Sequence, residues 1–373
     1  MAIKKTRSAD FDPWLLLCLV TILSFGFIMV ASASVPVAER LNVGMLHIAL
    51  HQAVFILFGI GAGVFFTFVP IKTLEKYSHV FLLFSLFFLT LVLIPGITRP
   101  INGSMRWIFI GPISVQPSEL AKLALILYIS GYMVRRSYQL QNTLQGFLIP
   151  MAVLAVTALL LMLEPDFGTV VVITTTILGM LFLGGVRVKN FLILLPGLLC
   201  VLGFLAVSSS YRVQRLIAFR DPWADQYKTG YQLVQSLIAF GRGSWFGSGL
   251  GNSVQKLLYL PESHSDFIFA VIAEEFGLVG VVTVLLLYGV LVFRAMEIGR
   301  RAKALGMEFA GNIAYGIGLL ICLQTVINIS VNIGLLPTKG LTLPLMSAGG
   351  SSMVAACIAI GVLLRVDYET RNR

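Results

Sequence analysis

The sequence predicts an all-α polytopic membrane protein of about ten transmembrane helices, with a long extracytoplasmic loop between helices 7 and 8. Three observations predict it. Hydrophobic residues make up 57% of the chain and charged residues only 12%, about half the charged fraction of a soluble domain. The apolar residues come in runs close to the roughly 20 residues that a helix needs to cross hydrocarbon. The cations fall mostly in the short segments between those runs, where membrane topology puts them. A net charge of +10 would suggest nucleic acid in a soluble protein. Here topology and anionic headgroups account for most of it, and no nucleic-acid partner is expected.

Ten runs read as spans: residues 14–33, 47–69, 78–94, 118–134, 146–163, 168–185, 190–208, 266–293, 309–333 and 345–364. The first follows Lys4, Lys5 and Arg7 and ends on Ala31-Ser32-Ala33, which looks like a cleavage site. It is long enough to span and more spans follow, so an uncleaved helix is expected. Lys72 and Lys76 precede the third run, and Arg135 and Arg136 close the fourth. A tight turn around Asp166 parts the fifth and sixth, and Arg187 and Lys189 part the sixth and seventh. Arg294, Arg300, Arg301 and Lys303 separate the eighth from the ninth, and the tenth runs into Arg365.

An even number of spans puts both termini on one side. Sixteen of the 27 Lys and Arg flank that side, against four in the short loops opposite, which places both termini in the cytoplasm. The expected organisation is one membrane domain over 1–373. It has a cytoplasmic N-terminus (1–13), a ten-helix bundle (14–364), a long periplasmic loop (209–265) and a cytoplasmic tail (365–373). Cys18, Cys200, Cys322 and Cys357 lie in apolar runs without metal-ligand or disulfide spacing and read as small core residues.

Three outer connections, 95–117, 209–265 and 335–344, are rich in Gly and Pro, which mark irregular backbone. Long loops of this kind often carry function. Within the longest, Tyr231–Phe240 is amphipathic and is expected to lie on the membrane surface.

Charges beside hydrocarbon are costly, so each is a candidate for function. Glu262, Asp266, Glu274 and Glu275 crowd the mouth of the eighth run. Asp266 is the best candidate base, since partial burial raises a carboxyl toward useful proton-accepting strength. His264 is a possible partner to it, and Glu274 or Glu275 could brace a cation of a neighbouring helix. Glu119 and Lys122, three apart, share a helix face; they either neutralise each other or offer Lys122 to an anion in a polar cavity. Asp166, beside Glu164, is either turn chemistry or a cavity residue. Lys339 is a lone cation within PTKGLTLP, followed by SAGGSS at 347–352. It is a solvated loop charge or a point charge over a phosphate, and the glycines suit close helix packing. Arg212, Arg215, Arg220 and Arg242, with Arg99 and Arg106, give the outer face many cations, as a diphosphate or an anionic headgroup would require. No P-loop, GxSxG, HExxH or CxxC pattern is present, so ATP-driven or zinc-dependent chemistry is unsupported.

Four motif stretches go further. They are NGSMRWIFIGPISVQPSELAKL (102–123), EPDFGT (164–169), the segment 215–280 carrying RLIAFRDPWAD and LPESHSDF, and NIGLLPTKGLTLPLMSAGGSS (332–352). From about Phe11 to Arg365 the chain resembles the SEDS family of cell-wall polymerases, most closely its cell-division branch. The resemblance implies the ten-helix SEDS fold and polymerisation of lipid II into β-1,4 glycan strands at the outer face of the inner membrane, at the division septum. It implies a class B penicillin-binding transpeptidase and other division membrane proteins as partners. By motif, Asp266 matches the family's essential loop aspartate, and Lys339, Glu119 and Lys122 match cavity positions. Arg106 and Arg212 join them as expected substrate-binding cations. Ala348 departs from the aromatic usual before the paired glycines, which touches local packing, and SHSD replaces the commoner AHTD.

The implied chemistry has Asp266 accept the proton of the GlcNAc 4-hydroxyl of lipid II as it attacks C1 of the strand's terminal muramyl sugar. Cations, or a divalent ion such as Mg2+ or Mn2+, would stabilise the leaving diphosphate. No cofactor is certain. The rival readings are a lipid II flippase and a non-catalytic division scaffold. A flippase needs polar groups along the whole crossing, whereas these acids cluster outward; a scaffold would not need Asp266.

Overall fold

The computed structural model describes residues 11–94, 96, 98, 105–111, 113–208 and 210–373, with several side chains between 194 and 212, that of Arg212 among them, outside the description. Arg99 and the N-terminal Lys4, Lys5 and Arg7 lie outside the described residues.

Local sequence explains where the helices begin. Asp12 accepts the amides of Trp14 and Leu15 (3.0 and 3.3 Å), and Pro13 takes the first helical position, where a missing amide costs nothing. That starts α1 (Pro13–Arg40). α2 (His47–Phe68) stops before Pro70, and α3 (Ile71–Val92) starts directly after it. The third span therefore begins seven residues before the expected 78, with Lys72 and Lys76 in its first turns. The short antiparallel hairpin of β1 (Ile108–Ile110) and β2 (Ile113–Val115) pairs Ile108 with Val115.

α4 (Pro117–Arg135) again opens on a proline, and the single-turn-scale α5 (Ser137–Asn142) leads to α6 (Leu144–Leu163), capped by Thr143. Asp166 caps α7 (Phe167–Leu183) through the Thr169 amide. α8 (Val188–Val207) is followed by α9 (Ser210–Arg220) and α10 (Tyr231–Gly243), both within the long loop. α11 (Ile268–Ala304), α12 (Glu308–Asn332) and α13 (Gly350–Arg371) complete the chain. α11 extends past the expected 293, α13 starts five residues after the expected 345, and residues 365–371 continue it as helix.

Among the described residues, seven helices, α1, α2, α3, α6, α11, α12 and α13, are long and apolar enough to cross a membrane. α4, α7 and α8 occupy the other three predicted spans. One core joins α1, α11, α12 and α13; a second joins α4, α6 and α7 to α12, so α12 is the shared spine. Cys200 is exposed rather than core.

α10 corrects an expectation. Its apolar face, with Leu233, Val234 and Ala239 buried, packs on α11 and α12 instead of lying on the membrane surface. Phe240 meets Phe269 at 5.8 Å, and Ser236 donates to the Asn332 carbonyl at 2.7 Å.

The loop after α10 stitches a break in α11. Gly277 has φ +63°, outside the helix, and a side chain there would meet the Gly247 nitrogen at 2.5 Å. The carbonyls freed at Glu274 and Glu275 accept the amides of Ser248 and Gly249 (2.9 and 3.0 Å). The amides freed at Leu278 and Val279 donate to Ser244 and Trp245 (3.0 and 3.2 Å). Four backbone groups that would be costly to leave unpaired in a membrane helix are thus satisfied from outside it.

Candidate active site

One cavity of about 1170 Å³ opens at the end of the bundle where α4, α7, α11 and α13 begin. Its walls come from the hairpin segment, the α6–α7 turn, α9, residues 261–267, the 337–342 loop and the start of α13. Hydroxyls tie these parts together. Ser351 accepts the Gln116 amide (2.9 Å) and donates to the Ser114 carbonyl (3.0 Å), joining the hairpin to α13. Thr342 and Ser352 lie 2.8 Å apart, and Ser347 accepts the Leu343 amide at 2.8 Å. Gly349 and Gly350 are cavity wall, and the missing side chain of Gly350 also admits the Phe55 ring, so the paired glycines serve both packing and the site.

Asp266 lies on the cavity wall, just before α11. Part of its surface stays open to the cavity, but protein encloses the rest. That desolvation, then the charge of Glu262, pushes its carboxyl up to about 7, against the pull of Arg215 and Arg106. Glu262 lines the same wall, has φ +56° and holds the Ser265 hydroxyl at 2.6 Å. A side chain at Gly340 would stand 3.1 Å from Asp266 Oδ2, a tight approach that glycine relieves where the Lys339 loop passes the base.

Cations line the same cavity as the base. Lys339 lines the cavity with its ammonium 4.2 Å from the Phe167 ring centroid, a contact that steadies a cation without neutralising it. Arg106 Nε donates to the Glu164 carbonyl at 3.2 Å, a second guanidinium nitrogen donates to the Pro165 carbonyl, and Nη1 is 3.9 Å from Asp166. Arg106 is thereby anchored to the α6–α7 turn at the cavity wall. Asp166 does both things expected of it: it caps α7, also accepting from Thr169 Oγ1 at 2.8 Å, and it lines the cavity.

Glu119 is a cavity residue, but Lys122 is not; its ammonium is buried and bound to Glu119 at 2.7 Å. The two charges of that pair are bound to each other, with Lys122 set behind Glu119. His264 is also off the cavity wall: its carbonyl accepts the Ala348 amide at 3.0 Å, and burial holds its ring below the usual imidazole range. Ala348 itself lines the cavity, so its departure from the family's aromatic alters the site and not packing alone. Glu164 is fully buried just behind the wall, with neither carboxyl oxygen hydrogen-bonded. Burial and the Asp166 charge push it up to about 8.

The side chain of Arg212 lies outside the described residues; Arg215, of the same basic cluster, lines the cavity and donates to the Thr338 carbonyl at 2.7 Å. Both sit on α9, and no local signal separates them. Glu274 and Glu275 lie off the cavity altogether. Glu274 braces a cation of a neighbouring helix, as expected, with Arg242 Nε of α10 at 3.3 Å, and Glu275 braces the long loop, with Lys256 Nζ at 2.6 Å. Among the described residues no three His, Cys, Asp or Glu converge in the manner of a metal centre.

Residues 13–372 match the family FTSW_RODA_SPOVE, described as cell cycle protein. A protein of Legionella pneumophila named probable peptidoglycan glycosyltransferase FtsW is 51% identical over 361 residues, covering 97% of this chain and 92% of its own. Its Coxiella burnetii namesake is 48% identical over 369 residues and 99% of each chain. Among solved structures, a chain from a peptidoglycan synthase complex coordinating polymerization and crosslinking superposes with a TM-score of 0.77 at 26% identity, over 97% of this chain and 99% of that one. The rod shape determining protein RodA of Thermus thermophilus gives 0.68 at 26% identity, over 97% of both.

Proposed function

The chain belongs to the FtsW, RodA and SpoVE family of cell cycle proteins, and from that premise we propose that it is a peptidoglycan glycosyltransferase that polymerises lipid II during septal wall synthesis. The observation that carries the reading is that Asp266 shares the wall of a single cavity at one end of the bundle with Lys339, Arg106 and Arg215.

The acceptor's GlcNAc 4-hydroxyl gives its proton to Asp266 while its oxygen attacks C1 of the strand's terminal sugar. The C1–oxygen bond to the lipid diphosphate breaks in the same displacement. An α-linked donor and a β-linked product require one inversion, so no covalent sugar–enzyme intermediate forms. A carboxyl near 7 suits proton acceptance at neutral pH. Lys339, Arg106 and Arg215 meet the charge developing on the diphosphate. A divalent cation of the Mg2+ type binds through one or two carboxylates plus substrate phosphates. Of the wall carboxylates, Glu119 is bound to Lys122 and Asp166 caps α7 beside Arg106, so Glu262 would hold such an ion and neutralise leaving-group charge.

The orientation follows from the Lys and Arg asymmetry, which puts both termini in the cytoplasm and the cavity at the outer face of the cytoplasmic membrane. The partner is a penicillin-binding transpeptidase that crosslinks the emerging strand within the division machinery. A flippase is the weaker reading, because the cavity walls come from helix ends on one side. The far end is closed by a charge network in which Arg294 and Arg371 bind Asp12.

The test is strand formation from purified lipid II in detergent, with the cognate transpeptidase present and contributing no glycan activity of its own. Wild type should make strands, and an equally stable Asp266→Asn none. Strands from both would move the base away from Asp266, with Glu262 next in line. No strands from either would favour transport or scaffolding.

A further inference from the structure

Asn328 and Asn332 stand one turn apart on α12, at 2% and 0% exposure. Neither lines the cavity. Asn328 Nδ2 donates to two backbone carbonyls: Asp266 at 3.0 Å and Leu341 at 2.6 Å. The first belongs to the segment that carries the base, the second to the loop that carries Lys339. Asn332 Nδ2 donates to the same Asp266 carbonyl at 3.1 Å, and its Oδ1 accepts the Ala270 amide at 3.2 Å. That amide lies in the first turn of α11 and also reaches the Phe267 carbonyl at 3.1 Å.

The two N–H bonds of one carboxamide diverge from a single planar nitrogen. When both are used on separate segments, they fix how far apart and at what angle those segments run. The loop 337–342 has no helix or strand of its own to hold it, and its close pass at Gly340 leaves little tolerance in front of Asp266.

We propose that Asn328 is a positioning residue that sets the spacing between Asp266 and the Lys339 loop by holding both backbones from behind the cavity. Asn332 anchors the base segment alone. The functional side of this inference rests on the polymerase reading; the clamp itself does not. Misplacing reacting groups by about 1 Å can cost about 100-fold in rate, so the clamp matters to turnover more than to binding, which is spread over the whole cavity.

Two measurements on the full-length protein test it. The first is amide hydrogen exchange by mass spectrometry, which reads local opening without reference to activity. Asn328→Ala should speed exchange in peptides over 262–270 and over 338–343 together, whereas Asn332→Ala should speed it only in the first. Unchanged exchange over 338–343 in Asn328→Ala overturns the clamp.

The second is lipid II polymerisation with the transpeptidase present. Asn328→Ala should lose about 10- to 100-fold in kcat with KM within about threefold of wild type. A kcat within about twofold, or kcat and KM changing together with a lowered melting temperature, overturns the positioning role. An inactive wild type showing the two-segment exchange pattern upholds the clamp and removes the polymerase reading.

Discussion

Glu262 with Asp266, and Glu274 with Glu275, are two pairs of carboxylates about two helical turns apart, and the structure uses them in opposite ways. Glu274 is saturated. It accepts the Ser253 hydroxyl at 2.5 Å and the amides of Val254 and Gln255 at 3.1 Å each, with Arg242 alongside. Glu275 takes Lys256, with Ser32 of α1 near both. These acids are spent on fastening the long loop beside the break in α11. Asp266 instead has a carboxylate turned to the cavity and a backbone carbonyl held by two asparagines. The lesson is that acid content near hydrocarbon marks importance but not chemistry. An acid whose carboxylate is bound by protein donors holds structure; one whose backbone is held and whose carboxyl faces a cavity can act.

The sharpest break of this comparison is a pair of neutralisations. Asp266→Asn should cost about 10²–10⁴-fold in strand formation with an unchanged thermal melt. Glu275→Gln should do the reverse. It strands the Lys256 ammonium, only 5% exposed, at a cost of about 3–5 kcal/mol, seen as a clearly lower melting temperature with activity per folded molecule retained. If Glu275→Gln were silent in the melt and dead in the assay, the division of labour would be wrong.

Gly277→Ala comes next. It forces a side chain into a positive-φ position against the Gly247 amide, costing about 1–3 kcal/mol, and should release the loop to proteolysis before the bundle melts. Glu262→Gln is gentler. Removing a like charge lowers the Asp266 carboxyl, so the acid limb of the kcat/KM profile, expected near 7, should move to lower pH. A limb that stays in place would detach Glu262 from the base.

Glu164 is read through the pH dependence of stability alone. Its folded value of about 8 lies above the ordinary 4.5. The fold therefore keeps a proton that the unfolded chain releases, and stability falls as pH rises between those values. Glu164→Gln should flatten that fall in the melting temperature between about pH 5 and 8 while leaving the acidic-side melt nearly unchanged.

By itself the sequence determined the bundle. Each of the ten expected spans is a helix, because the length that hydrocarbon demands is written locally as apolar runs. Asp12-Pro13, Pro117 and Asp166 mark helix starts through bonds reaching only two or three residues. The Glu119–Lys122 pair was legible for the same reason, and Asp266 and Lys339 stood out as charges where charge is costly.

Tertiary structure alone decided what those charges face. That Arg215 reaches the Thr338 carbonyl, that Ser351 meets the Ser114 carbonyl, and that Glu275 binds Lys256 are matters of groups meeting across 19 to 237 positions of chain. The inward turn of α10 was decided there too, because an amphipathic helix offers the same apolar stripe to a membrane surface and to a protein core. Periodicity records which face is apolar; only the packed neighbours record what covers it.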